Sequence, residues 1–392
     1  MNTIEFLNQA FTRYYLTALN NNTITPPKYI SQREFAFVFW GINQMIRHTK
    51  IDQIGQLRRY LKDNAFKHIY ISGAYYKYPD FTNMNRKERL GTDFLVDIDA
   101  DHINTPCKKR HDRWRCIECN KVGVGMPPKE CTCGSRRFQT FNWICDECLT
   151  AAKNEIFKLL DIFLSQFNVK TKDILIHFSG HRGYHLIIQS DVFKKLDGSE
   201  RHEIVDFLTS PGKNEKSLYV RKNLCKIIAA NNENILKQYN FNNKTITTIL
   251  KNRESILNVL ESSNPRYIKK MGISSNIWRK LVTLTAKKRS INLDIPVSID
   301  LHRLIRFVNS LHGKTGFMVQ SIPIENLKSY DPFTDPIFFD EKISINVETD
   351  DIPQFRINKK TYGPYNKGKI VTLPLPAAIF VTAKGVARYI QK

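Results

Sequence analysis

Nowhere in this 392-residue sequence does an apolar run approach the ~20 residues needed to cross a bilayer. The segment Met1 to Leu19 carries Glu5 and Arg13 among its apolar positions and lacks the core of a signal peptide. An intracellular (cytoplasmic) protein without a membrane partner is expected. Cysteine is nearly absent outside one segment: seven of the eight lie between Cys107 and Cys148. In a reducing compartment such clustering argues against a disulfide framework and for bound metal. Acidic residues are also scarce, 37 against 60 Lys and Arg, for a net charge of +23. That imbalance favours a polyanionic partner, nucleic acid or nucleotide. With 42 % hydrophobic and 11 % aromatic residues the chain is globular, long enough for one large domain with insertions or two smaller ones.

Against this shortage of acid, three aspartates crowd into Phe94-Leu95-Val96-Asp97-Ile98-Asp99-Ala100-Asp101-His102. Read as a strand, Phe94, Val96 and Ile98 take one face and can be buried. Asp97 and Asp99 take the other and point into one small volume. Like charges that close repel, and a core does not accept them unpaired. The natural neutraliser is a divalent cation with oxygen ligands, Mg²⁺ or Mn²⁺. A strand end running into a polar turn would carry the same Asp-x-Asp.

The cysteine block follows as Cys107-x3-His111, Cys116-x2-Cys119, Cys131-x-Cys133-Gly134 and Cys145-x2-Cys148. Each pair suits a tight turn that aims two ligands at one tetrahedral zinc. Cys116/Cys119 with Cys131/Cys133 read as an inner zinc ribbon. Cys107/His111 with Cys145/Cys148 close the base of the insertion as an outer site, with His102 an alternative to His111. Before the block, Thr3 reads as the N-cap of a helix, Arg33 to Phe39 as a strand, and Gly73 to Pro79 as an aromatic, basic stretch suited to a nucleic-acid strand. After it, Ala151 to Phe167 is an amphipathic helix. Ile174 to Phe178 and Tyr184 to Ile188 are strands around Ser179-Gly180-His181-Arg182-Gly183. The glycines expose backbone N–H groups, and Ser179, His181, Arg182 and His185 add side-chain donors, which makes a phosphate cradle on a hairpin. An ordinary turn with solvent-facing basic groups is the plainer alternative. Leu196 to Arg289 is Lys-, Asn- and Ile-rich, with helical patterns over Ile227 to Tyr239 and Ile246 to Leu260 and no catalytic cluster. Val297 to Asp300 reads as a strand, Leu301 to Ile305 as a helical turn, and Asn309 to Gly316 as a loop of phosphate donors. An Asp followed by Arg306, His312 and Lys314 suits a metal-bound triphosphate. Pro323 to Lys392 reads as short strands and turns.

Three of these elements stand in order: Asp97-Ile98-Asp99, then Ser179-Gly180-His181-Arg182-Gly183-Tyr184-His185, then Asp300 with Arg303-Leu304-Ile305-Arg306 and Asn309-Ser310-Leu311-His312-Gly313-Lys314. Together they resemble the small, catalytic subunit of archaeal and eukaryotic DNA primase. Arg33-Glu34-Phe35 and Gly73-Ala74-Tyr75-Tyr76 also look like that family, and the resemblance spans roughly 1–190 and 295–325. It implies that Asp97, Asp99 and Asp300 bind two catalytic Mg²⁺ or Mn²⁺ ions. Ser179, Arg182 and His185 would hold the incoming nucleotide's phosphates, with Arg306 and His312 completing the pocket and Arg47 and Lys77 near the substrate. The outer cysteine set looks like a zinc site shared by the family, and the inner ribbon like an elaboration of some members. The sequence departs from the family pattern at His181, where Arg or Asn is common, and at Val308, which replaces a frequent proline.

The fold implied is α+β (mixed α/β), with central, largely antiparallel sheets. A discontinuous catalytic domain would comprise 1–106, 149–195 and 291–392, a zinc-binding insertion 107–148, and a helical insertion 196–290. The activity implied is nucleotidyl transfer that builds short RNA primers de novo from NTPs on single-stranded DNA. A primase large subunit is the implied partner, and de novo initiation implies a second nucleotide site. Two other readings remain: a primase-polymerase of the same superfamily that uses dNTPs, and a non-catalytic zinc protein that binds nucleic acid.

Overall fold

The computed structural model describes residues 1–42, 44–209, 218–261, 273–339 and 344–391. The chain divides into two units. One comprises Met1–Phe157, Val169–Gly198 and Leu293–Lys392, and the other Lys158–Asn168 and Ser199–Asn292. The fold is mixed α+β. No helix among the described residues is long and apolar enough to cross a membrane.

Two four-stranded antiparallel sheets frame the larger unit. The first runs in the order Leu304–Arg306, Phe66–Ser72, Glu34–Phe39, Met45–Lys50. The second runs Gln320–Ser321, Ile174–Phe178, Gly183–Ile188, Phe94–Asp99. Alternation sends Phe35, Phe37, Ile69 and Ile71 of the first sheet and Leu95 and Ile187 of the second into one core. The helix Thr3–Asn20 covers it with Phe6, Phe11, Tyr14 and Tyr15. Its cap is Asn2, not the expected Thr3. The Asn2 side chain accepts from the Glu5 N–H, and the Glu5 carboxylate accepts from the Asn2 N–H.

Leu95 shares a face with Asp97 and Asp99. The acidic strand therefore begins in the core, where Leu95 is 2 % exposed, and ends in a partly open cleft. Phe94, Val96 and Ile98 are fully buried on the other face. Gly73 joins the two sheets. Its N–H donates to the Arg303 carbonyl, its carbonyl accepts from the Asp93 N–H, and a Cβ there would lie 2.7 Å from Leu95 Cδ1.

Two expected elements exchange character. Val297 to Asp300, expected as a strand, lies mostly in a short helix, Ile295–Ile299, with Pro296 in its first turn. Proline is suited to that position and cannot donate within a sheet. Leu301 to Ile305, expected as a helical turn, runs into the edge strand Leu304–Arg306, where Ile305 faces the core opposite Ile71. In the C-terminal region, strands Ser344–Thr349, Ile370–Pro374 and Ala387–Tyr389 form a small sheet. Between the last two lies a helix the sequence reading missed, Leu375–Ala383, with every residue from Leu375 to Thr382 buried. Being apolar on all sides, it shows no helical stripe.

The other unit is helical. Leu224, Ile246, Ile249, Ile256, Trp278 and Leu281 form its core. Each of the two long helical patterns read there is split. Asn232 caps the second piece of one, Glu233–Lys237, and Asn252 separates Asn243–Lys251 from Arg253–Glu261. Asparagine's side chain competes for backbone hydrogen bonds and favours such ends.

At Gly183, directly opposite Asp99, an added Cβ would overlap the Ile98 carbonyl. Gly183→Ala is expected to lower stability by about 2–4 kcal/mol, since backbone must move on the acidic strand itself. Denaturant titration with a retained m-value checks this.

Candidate active site

The acidic strand is the edge of its sheet, and pairing sets what faces each carboxylate. Asp99 lies opposite Gly183 and Asp97 opposite His185. Asp99 Oδ1 accepts from the Asp101 N–H at 2.9 Å and so caps the turn Ala100–His102. The Asp101 carboxylate clasps Arg182 and accepts from Asn142 Nδ2 at 2.6 Å. Arg182 also reaches Asp99 Oδ2 at 3.3 Å.

Burial, then the charge of Asp294, pushes the Asp97 carboxyl up to about 6, while Arg303, Arg306 and His102 oppose the shift. Burial also pushes Asp99 up, against the pull of Arg182. Two adjacent carboxyls that hold their protons too tightly mark a spot short of positive charge at its centre. The oxygen donors there fit Mg²⁺ or Mn²⁺.

The carboxylate beside Asp97 is Asp294, which the sequence reading did not select. Its N–H donates to the Asp97 carbonyl at 3.0 Å. It occupies the N-cap of Ile295–Ile299 without using its side chain as a cap, so the carboxylate stays available. Asp300 lies at the opposite end of that helix, exposed, with Oδ1 accepting from the His302 N–H at 2.8 Å. Its charge acts on Tyr76 and His302. The helix that replaced the expected strand thus moves Asp300 away and brings Asp294 in. Asp followed two residues later by Pro was the available signal.

The hairpin forms as expected. Ser179 Oγ accepts from the N–H groups of His181 and Gly183, at 3.4 and 3.2 Å, and holds the turn closed. Gly180 has φ +79°, and a Cβ there would lie 2.8 Å from His312 Cβ, so this close approach needs glycine. The His181 and His312 rings stack with centroids 4.8 Å apart, and His68 meets His312 edge-on at 5.0 Å. His312 Nδ1 accepts from the Lys314 N–H at 3.1 Å. Arg306 Nη1 lies 2.8 Å from His68 Nδ1, and its guanidinium sits over Tyr70. His185 Nε2 is 3.7 Å from Asp97 Oδ1. Burial, with Arg306 and Arg303 adding, pushes His185 down to about 3, so it is a neutral imidazole at physiological pH. Burial also holds His181 and His312 well below the usual range. Asp97, Asp99, Ser179, Arg182, His185, Arg306 and His312 therefore converge, with Arg303 and Lys314 beside them.

Arg47 and Lys77 have other partners. Arg47 Nε donates to Glu34 Oε1 at 2.9 Å, and Lys77 pairs with Glu88 at 3.0 Å on the surface. Glu34 also binds buried Lys87, and Arg33 is buried against Asp93 at 2.7 Å. The strand cations thus serve mainly to pair with acids.

The cysteine segment folds as a three-stranded sheet, Val122–Val124, Arg113–Cys116 and Phe138–Phe141. Two four-residue sets gather there: Cys107, His111, Cys145 and Cys148, and Cys116, Cys119, Cys131 and Cys133. Cys107 and Cys148 Sγ atoms are 3.3 Å apart, Cys145 and Cys148 3.8 Å, and the pairs Cys116–Cys133 and Cys119–Cys131 3.6 Å. Tetrahedral zinc with Zn–S near 2.3 Å places its sulfurs at about these separations. His111 takes part through Nε2, 3.3 Å from Cys148 Sγ, and its Nδ1 lies 2.8 Å from Asp112 Oδ1, as in a zinc-ligating histidine oriented by a carboxylate. His102 is exposed and outside the set. Both clusters can hold zinc.

Comparison with known proteins decides the family. A chain described as DNA primase small subunit PriS from Archaeoglobus fulgidus is 31 % identical over 394 residues, covering 98 % of each chain. The chain belongs to the DNA primase small-subunit family. Relatives of the same description from Nitrosopumilus maritimus and Cenarchaeum symbiosum are 27 % and 28 % identical, with 98 % and 97 % of each chain covered. The family model for the DNA primase small subunit matches residues 143–324, which hold the Ser179–His185 hairpin, Asp294 and the Arg306–His312 segment.

Metal analysis of this primase chain is expected to give about two zinc ions per molecule. Cys116→Ser with Cys119→Ser should remove one and leave the other. A count of two in that variant would place the second ion elsewhere.

Proposed function

We propose that this chain is the catalytic subunit of a primase that joins NTPs into short RNA primers on single-stranded DNA. The observation that carries this reading is the meeting of Asp97, Asp99 and Asp294 at one end of a cleft whose other wall is the Ser179–His185 hairpin with Arg306 and His312. Membership of the primase small-subunit family supports it. Catalysis is assigned to the larger unit, with 107–148 as its zinc-bearing insertion and 196–290 as a helical insertion.

Asp97, Asp99 and Asp294 would hold two divalent ions, Mg²⁺ or Mn²⁺. Bound there, these supply a lowered pKa for the primer 3′-hydroxyl and positive charge for the departing pyrophosphate. Asp300 is assigned no metal. The protein's own groups do the rest. The Arg182 guanidinium, beside the closed Ser179–Gly183 turn, lines the path of the triphosphate. Arg182 is held in place by Asp99 and Asp101 before substrate arrives, so little reorganisation is needed. Arg306, fixed against His68 and Tyr70, adds charge where it builds on the phosphates. Neutral His185 can donate a hydrogen bond to a phosphoryl oxygen without adding a second full charge beside Asp97. A large subunit and a single-stranded template are the proposed partners, and the initiating nucleotide needs a second site outside this pocket.

Asp294→Asn is expected to reduce nucleotide incorporation at least about 100-fold, while Asp300→Asn stays within about threefold of the parent. The reverse order would return Asp300 to the metal site. Asp97→Ala with a retained fold should abolish incorporation on unprimed single-stranded DNA, and persistent synthesis would sink the assignment. The same assay run with dNTPs in place of NTPs separates primer synthesis from a deoxynucleotide-using relative.

A further inference from the structure

We propose that Lys384, at the C-terminal end of the buried helix Leu375–Ala383, is a ligand for the terminal phosphate of the incoming nucleoside triphosphate. The proposal rests on the nucleotidyl-transfer reading above and extends the site to the C-terminal region.

The geometry leads to Lys384 by a short chain of contacts. Arg182 of the phosphate cradle is clasped by Asp101, and Asp101 accepts from Asn142. The next residue, Trp143, packs against Phe380 of the C-terminal helix, and the Lys384 ammonium lies over the Trp143 ring, 5.1 Å from its centroid. The ammonium is thereby held at the cradle's side. It feels the positive charges of Arg182 and Lys314 and the negative charges of Asp101 and Asp112, and it acts in turn on His181.

Neither nearby carboxylate is free to take it. Asp101 is engaged by Arg182 and Asn142, and Asp112 by His111 and the Trp143 N–H. Among the described residues Lys384 has no ion-pair partner. A partly buried cation placed among like charges is unfavourable until an anion arrives. Burial and the charges of Arg182 and Lys314 accordingly push its ammonium down to about 7. The aromatic face of Trp143 offsets part of this cost and fixes the position. Gly385, with φ +78°, ends the helix immediately after Lys384 and leaves the residue at the helix's negative end. Arg182, Lys314 and Lys384, from three separate segments, thus lie close enough to repel one another, and a bound triphosphate would relieve that repulsion.

A lysine at a helix C-terminus also has a plainer role, complementing the helix dipole, and the experiment separates the two. NTP dependence of primer extension is measured for the full-length chain, Lys384→Ala and Lys384→Arg, with thermal unfolding of each. Inorganic tripolyphosphate serves as a second probe, read by its shift of the unfolding temperature. Expected for Lys384→Ala are a KM for NTP raised about 5- to 20-fold, kcat within about twofold, a weakened tripolyphosphate shift and an unfolding temperature close to the parent's, with recovery in Lys384→Arg. An unchanged KM and an unchanged tripolyphosphate shift would overturn the proposal. So would a fall in unfolding temperature as the only effect, which would assign Lys384 to the helix end. If the parent chain incorporates no nucleotide, the functional reading fails, and the tripolyphosphate arm still decides whether Lys384 binds a phosphate chain.

Discussion

Burial of the Asp97 and Asp99 carboxyls, with the charge of Asp294 close to Asp97, is the constraint the larger unit is arranged around. Burial pushes the carboxyls of Asp97 and Asp99 upward, so the polypeptide by itself disfavours the charged state there. A chain free to relax would turn these side chains out to water. They stay because the strand that carries them is fixed elsewhere. Leu95 is anchored in the core, Phe94, Val96 and Ile98 are buried on the opposite face, and each residue from Phe94 to Asp99 is paired with Ile188 to Gly183. Apolar burial of about 1.5–3 kcal/mol per large side chain is ample to hold such a strand in place against one unfavourable end.

The close approaches that make this possible leave no room for side chains. Gly183 lets the hairpin strand reach Asp99, Gly180 lets the turn meet His312, and Gly73 lets the first sheet reach Leu95 and the Arg303 carbonyl. Asp101 extends the arrangement in the other direction. It clasps Arg182 and accepts from Asn142, so the acidic strand, the Ser179–His185 hairpin and the cysteine segment share one hydrogen-bonded junction. The outer cysteine set lies only a few residues beyond it, with Thr105 Oγ1 3.3 Å from Cys107 Sγ. Zinc there would stiffen the stretch that carries Asp101 and so fix Arg182 indirectly.

What could be read beforehand was whatever short-range geometry dictates. Two-residue alternation put Asp97 and Asp99 on one face, spacing alone grouped the cysteines into the two sets the structure gathers, and the glycine-rich turn read as the hairpin that forms. β-Branched Val297 and Ile299 read as a strand leading to Asp300, but Pro296, two residues after Asp294, suits the first turn of a helix. A single proline turned that segment into a helix and exchanged which aspartate faces the acidic strand. The helix Leu375–Ala383 escaped because it is buried on every side and has no polar face to reveal its period. Lys384 was invisible for a different reason. Its place depends on Trp143, some 240 residues earlier, and no local pattern encodes that contact.

The histidines complete the electrical logic of the pocket. Five of them line the cradle region: His68, His177, His181, His185 and His312, all buried. Burial, with neighbouring cations adding for all but His177, holds each below the usual histidine range, His68 to about 2 and His177 and His185 to about 3. Had they been lysines or arginines, the same volume would carry eight or more positive charges with only a few acids to balance them, and the fold would have to bear that repulsion whenever substrate was absent. Neutral imidazoles supply hydrogen-bond donors and flat stacking surfaces without that cost. Cationic side chains are few there: Arg182 from the hairpin, Arg303, Arg306 and Lys314 from the 303–314 stretch, and Lys384 to one side. Such a pocket has a charge deficit on its acidic side and a charge excess on its basic side at the same time. A metal-bound triphosphate, cationic at one end and anionic along its length, satisfies both together, and neither a free metal ion nor a free phosphate would do so alone.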